Sequence, residues 1–294
     1  VSTPTCLACG GSRIARSDFL VSRSHHLFKC SGCGFGFLEM KQAESEVPFD
    51  DYWDEINERI YTDDAVVQEL QDKYSRYLSV IERLAPNRRL LDVGSGAGIF
   101  VAAAMARGFE VVGVEPSARA VEISRHRGEL PIVRGLLEAG DDLPRQNGAL
   151  TLWDVIEHVP DPTALINACA EHLADGGLLV LETPDEGSLL RDLVRTAARL
   201  GRRFDQRSYL YYRAHRYYFT RRAMETVLRR CGFDRVDFYR DHTMFEKSLL
   251  KLRLYRGLNA RREGLLRVGY GVLSHLPFLG NKMVVVARKA DRSG

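Results

Sequence analysis

Four of the six cysteines, Cys6, Cys9, Cys30 and Cys33, form two C-x2-C pairs separated by twenty residues. A C-x2-C turn sets two thiolates on one tight knuckle, and two such knuckles complete the tetrahedral sulfur shell that Zn2+ prefers. Each knuckle runs into glycine, at Gly10-Gly11 and at Gly34, which suits the positive φ angles of such turns. Four thiolates leave no open coordination position, so the spacing predicts a structural zinc that holds a small module together. Two disulfides in a secreted domain are the weaker expectation, because residues 1–11 have neither the basic start nor the apolar run of a secretory signal. His25 and His26, between the knuckles, read as solvated loop residues, and Cys169 and Cys231 fall in helical patterns.

A second set of residues suits a bound nucleoside. In LLDVGSGAGIF, residues 90–100, an apolar strand ends at Asp92, turns through Gly94-Ser95-Gly96-Ala97-Gly98 and enters a helix. Glycines there let a ligand approach the backbone closely. The pattern is G-x-G-x-G and not the G-x-G-x-x-G of dinucleotide folds, since Ile99 stands where the third glycine would fall. The following apolar segment, EVVGVE, ends in Glu115, a carboxylate placed to accept two ribose hydroxyls.

With LTLWDVIEHVPDP (150–162), GGLLVLETPD (176–185), HRYYFT (215–220) and RRCGF (229–233) added, the chain resembles the class I S-adenosylmethionine-dependent methyltransferases. The resemblance is to the branch with the ubiquinone-pathway O-methyltransferases and many bacterial small-molecule, sugar and cell-envelope methyltransferases, and it covers residues 90–233. It implies an α/β, Rossmann-like fold: a seven-stranded, mostly parallel sheet in order 3-2-1-4-5-7-6, the last strand antiparallel. It also implies that Asp92, Gly94, Ser95, Gly96 and Gly98 cradle the amino acid and sulfonium end of S-adenosylmethionine. Glu115 then holds the ribose with Pro116 and Ser117 beside it, and Trp153 and Asp154 border the methyl donor. Two positions depart from the family's habit. Leu136 stands where an acid often meets the adenine amino group, which passes that contact to Glu138, and Gly148 stands where an aspartate often precedes the fourth strand.

A hydroxyl nucleophile needs a base with a pKa near neutrality, which histidine has without special tuning. His158, just after the fourth strand, and His215, in the basic aromatic stretch after the fifth, are the two candidates.

The elements that must position these groups follow from periodicity. A helix capped by Asp63 or Asp64 carries apolar residues at three-to-four spacing from Val66 to Leu84 and stops at Pro86. Strands are expected at 89–93, 110–115, 131–134, 149–154, 177–183, 235–240 and 283–288, with helices between them, one opened by Asp161-Pro162. Such alternation implies a parallel sheet with helices on both faces. The organisation expected is a zinc-binding ribbon or knuckle module at 1–40, an acidic linker at 41–62 and a methyltransferase domain at 63–294. Within that domain lie a helical arm (63–86), core (88–183), basic lid (184–219) and insertion (241–281) between the last two strands.

The 294 residues are 45% hydrophobic and 28% charged, enough for a large core, with no uninterrupted apolar run long enough to cross a membrane. Net charge is only +3, but residues 39–72 are strongly acidic and 191–222 strongly basic. These runs are expected as solvated faces, as mutual partners, or as a basic lid over an anionic small-molecule acceptor. The basic 247–267 segment is expected as a packed surface helix or as a peripheral contact with the inner membrane surface of a cytoplasmic protein. An O-methyltransferase acting on a small molecule or glycan precursor leads the expectations. Transfer to carbon or nitrogen, RNA methylation with zinc-module contacts, and a binding module with a degenerate cofactor site stand behind it. Nucleic acid is not the expected partner, because the acidic stretch beside the zinc module would repel phosphates.

Overall fold

The computed structural model describes residues 5–22, 25–38, 53–138, 142–199, 215–256, 259–274, 276 and 279–291. Its main sheet has seven strands: β4 (Arg89–Val93), β5 (Glu110–Glu115), β6 (Ile132–Arg134), β7 (Asn147–Trp153), β8 (Leu173–Pro184), β10 (Phe233–Asp241) and β11 (Lys282–Lys289). They lie in the order β10-β11-β8-β7-β4-β5-β6. That is the expected 3-2-1-4-5-7-6, with β11 antiparallel to both of its neighbours and the other pairs parallel.

The central strands are apolar throughout because both faces are covered. Leu90, Ala149, Leu178 and Val284 pack on one face with α2 (Asp64–Leu84) and α3 (Ile99–Ala106). Their neighbours Leu91, Leu150, Leu179 and Val285 pack on the other with α5 (Pro162–His172) and α7 (Arg221–Arg230). This is the two-residue period of a strand feeding two separate layers. Local chemistry sets the helix ends: Asp63 accepts the Ala65 and Val66 N–H groups at the start of α2, and Asp161 accepts those of Thr163 and Ala164 before α5.

A second sheet orders β1 (Ile14–Ser22), β2 (His25–Cys30), β3 (Gly36–Leu38) and β9 (Tyr217–Tyr218). Its fourth strand comes from the far end of the chain, so the cysteine module is sewn to the larger domain by backbone pairing, Gly36 opposite Tyr218 and Phe37 opposite Tyr217.

Three segments differ from the reading of the sequence. The described end of the acidic stretch is not extended: Asp54 caps α1 (Glu55–Thr62), whose Ile60 is fully buried. Strand β8 starts at Leu173, ahead of Gly176-Gly177, because Leu173 pairs with Asn147 and the ladder resumes after a register shift. The insertion before β11 holds two helices, α8 (Phe245–Arg256) and α9 (Ala260–Ser274), and the basic lid contains α6 (Leu189–Arg199). Arg202, Arg203, Arg207, Arg213, Tyr209, Tyr211 and Tyr212 lie outside the described residues.

Candidate functional site

Strand β4 delivers Asp92 to the carboxyl edge of the sheet, where the chain turns into α3. Gly94, Gly96 and Gly98 have φ of +73°, +52° and +74°, a region costly for residues with a Cβ. Space excludes a Cβ as well, since one would come within 2.5 Å of Val155 at Gly94 and within 2.5 Å of Leu130 at Gly98. The N–H groups of Gly94 and Ser95 both donate to the Val114 carbonyl, at 2.8 and 3.1 Å. The Glu115 carboxylate is locked to the same loop: Oε2 accepts from the Gly96 N–H at 2.8 Å and Oε1 from the Ser117 N–H at 3.0 Å. Asp92 is buried and accepts the Thr151 hydroxyl at 2.6 Å. Burial raises its carboxyl to about 8 despite that hydrogen bond, and the nearby Glu115 charge adds to the rise.

This cradle fits a ligand that carries a ribose and an amino acid. Glycines admit the ligand's close approach, an acid stands at each of two adjacent strand ends, and Trp153 Nε1 and Ser95 Oγ are buried with no hydrogen-bond partner among the described residues. Beyond Glu115 a hollow of about 560 Å3 is lined by Pro116, Arg134, Gly135, Leu136 and Glu138, the place expected for a base. Trp53 covers the loop from outside. A Cβ on Gly96 would lie 3.0 Å from its ring, and Tyr61 of α1 packs on it at 5.0 Å.

At the end of β7, Asp154 holds a left-handed φ of +57°, tolerated by Asp but uncommon. Lys282 Nζ donates to its two carboxylate oxygens at 2.6 and 2.5 Å and pairs with Glu182 at 2.8 Å. Lys73 pairs with Glu182 in turn, and its ammonium lies 5.2 Å from the Trp153 ring. A chain of alternating charges, Lys73, Glu182, Lys282 and Asp154, therefore crosses from α2 through β8 and β11 to the carboxyl edge. Burial alone would raise the Asp154 carboxyl, but Lys282, Lys247 and Lys73 hold it well below the usual carboxylate range. Lys73, Glu182 and Lys282 were missed by the sequence reading. Their signal was present as charged residues set in buried runs: Glu182 closing LLVLE, Lys282 opening KMVVV, and Lys73 beside Tyr74 on the buried face of α2.

The two candidate histidines meet. His158 sits in the turn after β7, its N–H bonded to the Val155 carbonyl at 2.9 Å, and His215 immediately precedes the segment leading to β9. Their rings stand edge to face at 4.6 Å and 85°. The Glu157 carbonyl fixes the approach by accepting the N–H groups of Arg216 and Tyr217 at 2.8 and 3.3 Å. Burial, then the proximity of His158, drives His215 well below the ordinary histidine value, so its ring is neutral at pH 7. The Glu157 carboxyl, buried and close to Asp154, is pushed up to about 8, and the Thr183 hydroxyl donates to it at 3.0 Å.

The four module thiols lie within 4.8 Å of one another, with Cys6 and Cys33 sulfurs 3.6 Å apart and those of Cys9 and Cys30 3.7 Å apart. Sulfurs about 2.3 Å from a tetrahedral zinc stand roughly 3.8 Å apart, whereas a disulfide would bring a pair to about 2.05 Å. All four are free, so the set fits the ion. The module touches the histidine wall directly: the Thr220 hydroxyl donates to the Cys33 carbonyl at 2.6 Å, the Leu38 N–H to the Arg216 carbonyl at 3.0 Å, and Phe35 packs on Phe219 at 5.0 Å.

Several of the described basic residues find local acids. Lys29 of the module, Arg191 and Arg195 all converge on the buried Glu186, at 2.6, 2.8 and 3.0 Å, and Arg221 pairs with Asp185 at 3.1 Å. In the insertion Arg267 pairs with Glu246 at 2.5 Å, and Arg253 with Glu263. Among the described residues no helix is long and apolar enough to cross a membrane.

A sequence family described as a methyltransferase domain matches residues 65–237, more than half of the chain. The chain is 35% identical over 103 residues to a ubiquinone biosynthesis O-methyltransferase of Alkalilimnicola ehrlichii, 33% of this chain and 41% of that protein. It is 41% identical over 99 residues to an uncharacterized methyltransferase of a Mycobacterium species, 32% of this chain and 38% of that protein. The matched region thus spans about two fifths of these curated relatives. Among solved structures, a magnesium protoporphyrin IX methyltransferase of Synechocystis with bound S-adenosylhomocysteine shares the fold at 15% identity and a TM-score of 0.51, over 82% of this chain and 97% of that one. A methyltransferase of Archaeoglobus fulgidus does so at 18% identity and 0.51, over 76% and 94%.

Proposed function

The chain belongs to the methyltransferase domain family, and from that premise we propose that it transfers the methyl group of S-adenosylmethionine to a hydroxyl oxygen of an anionic small molecule or glycan precursor. When bound, S-adenosylmethionine supplies a methyl carbon already activated by a positive sulfur, which leaves the protein chiefly to position the acceptor and exclude water. Gly94, Ser95, Gly96 and Gly98 would bring backbone against the amino acid end, with Asp92 facing its positive groups. Glu115, fixed by two backbone N–H groups, would accept the ribose hydroxyls, and Pro116 and Glu138 would flank the base. Trp153 and Asp154 would border the reacting carbon.

The observation that carries oxygen as the acceptor atom is the meeting of His158 and His215 at 4.6 Å on the same sheet edge as Asp154. The imidazole of His158 would take the hydroxyl proton, while His215, neutral and less basic than an ordinary histidine, would orient it. Cys6, Cys9, Cys30 and Cys33 would hold one zinc with no open position, in a structural role. The 35% identity to an O-methyltransferase over part of its length supports the same choice of atom. The test is a transfer assay with [13C-methyl]-S-adenosylmethionine and anion-exchange fractions of a bacterial metabolite extract. Label in methyl ethers or esters of retained compounds is the expected result, and label confined to N-methyl or C-methyl products would overturn the assignment.

A further inference from the structure

The first helix of the insertion carries two lysines, Lys247 and Lys251, that form no ion pair among the described residues. Helix α8 is fixed in place, since the Glu69 carboxylate of α2 accepts the N–H groups of Phe245 and Glu246 at 2.6 and 3.0 Å. Its outer charges are matched by the ion pairs of Arg253 with Glu263 and of Arg267 with Glu246. Lys247 and Lys251, one turn apart, lie on the opposite side. Lys247 Nζ donates to the neutral Tyr61 hydroxyl at 2.6 Å and stands 4.7 Å from that ring's centre. Lys251 is half-buried and has no carboxylate partner among the described residues; the charges acting on it are Lys247, Asp154, Lys282 and Asp54.

Lys73 and Lys282 form ion pairs with Glu182 and Asp154 in the buried chain, whereas among the described residues Lys247 and Lys251 have no ion pair of their own and feel Asp154 and Asp54 only as more distant charges. Burial, and then the repulsion of Lys247, depresses Lys251 to about 8, the cost of two adjacent cations held without an anion. The lysines are also set apart from the glycine loop, because Tyr61 lies between Lys247 and Trp53, and Trp53 covers Gly96. Both lie near enough to Asp154, at the end of β7, for their charges to act on one another.

We propose that Lys247 and Lys251 form an anion subsite that binds a phosphoryl or carboxylate group of the methyl acceptor. Two ammonium groups one turn apart can donate jointly to one oxyanion. The subsite rests on the methyltransferase reading, so its test begins with a calorimetric titration of S-adenosylhomocysteine into the full chain. Inorganic pyrophosphate and succinate are then titrated separately into the saturated complex of the wild type, Lys247→Met and Lys251→Met, each checked for an unchanged melting temperature. The wild type should bind at least one ion, each variant should bind it about tenfold or more weakly, and S-adenosylhomocysteine affinity should stay within about twofold. Preference for pyrophosphate assigns a phosphoryl-bearing acceptor, and preference for succinate a carboxylate. The subsite is overturned if the wild-type complex binds neither ion, if the variants bind as the wild type does, or if they lose S-adenosylhomocysteine instead, which would place the lysines on the cofactor's own carboxylate. Failure of the wild type to bind S-adenosylhomocysteine would strike the underlying reading first.

Discussion

Asp92 is the acid whose ionisation a cationic cofactor would change most directly. Without ligand, burial keeps its proton on up to about pH 8. A ligand bearing an ammonium and a sulfonium favours the carboxylate, so binding below that pH must release the proton. Affinity should therefore rise with pH, by up to about tenfold per unit, and level off above about pH 8. Calorimetry at pH 6.5 in two buffers of different ionisation enthalpy should find close to one proton released per S-adenosylmethionine bound; pH-independent affinity with no release would contradict the placement of Asp92. The histidines make a different prediction. His158→Ala or His215→Ala should lower turnover by roughly 10²-fold or more at saturating acceptor while leaving cofactor affinity unchanged. If both variants retain near-full turnover with normal melting temperatures, positioning alone accounts for the rate, and an already nucleophilic nitrogen becomes the better acceptor.

Strand β9 links the cysteine module to the wall formed by His158 and His215, because Tyr217 and Tyr218 close the module's sheet while His215 stands two residues before Tyr217. Protein purified under reducing conditions should contain about one zinc per chain. Its removal by a chelator should cost most of the transferase activity yet leave S-adenosylhomocysteine binding within a few-fold, since Glu115 is held by the Gly96 and Ser117 N–H groups and the glycine loop by the Val114 carbonyl, all within the larger domain. Loss of both together, or of neither, would show that the module does not act through this strand. The C-x2-C spacing announced the module, but not its docking, which depends on Thr220 and Arg216 meeting Cys33 and Leu38 from across the chain. Strands β4 and β5 were legible to the residue because a buried parallel strand is a plain apolar run, here with an acid at its carboxyl end. Helix α1 was hidden because its acidic composition resembles a solvated linker, and only Ile60 and the Asp54 cap betray it.

At the scale of the molecule, two helical layers bury the sheet, while the α1 and α8 helices and the cysteine module crowd its carboxyl edge. Among the described residues the uneven charge resolves into local pairs, such as Lys29, Arg191 and Arg195 around Glu186. That pattern is invisible in one dimension, because the sign of a run says nothing about which acid it folds against. The glycine loop was visible since glycines, Asp92 and Glu115 are fixed by backbone geometry within a single strand-loop-helix-strand unit. The Lys73-Glu182-Lys282-Asp154 chain was not, as its members come from four separate elements. The central claim is that this unit holds S-adenosylmethionine, and a calorimetric titration of S-adenosylhomocysteine into the wild type and Glu115→Ala tests it most directly. The wild type should show one site, and the variant should bind about 10- to 100-fold more weakly, the loss of a charged acceptor from a ribose diol. Folded wild-type protein that gives no heat of binding, or a Glu115→Ala variant that binds equally well, would contradict it.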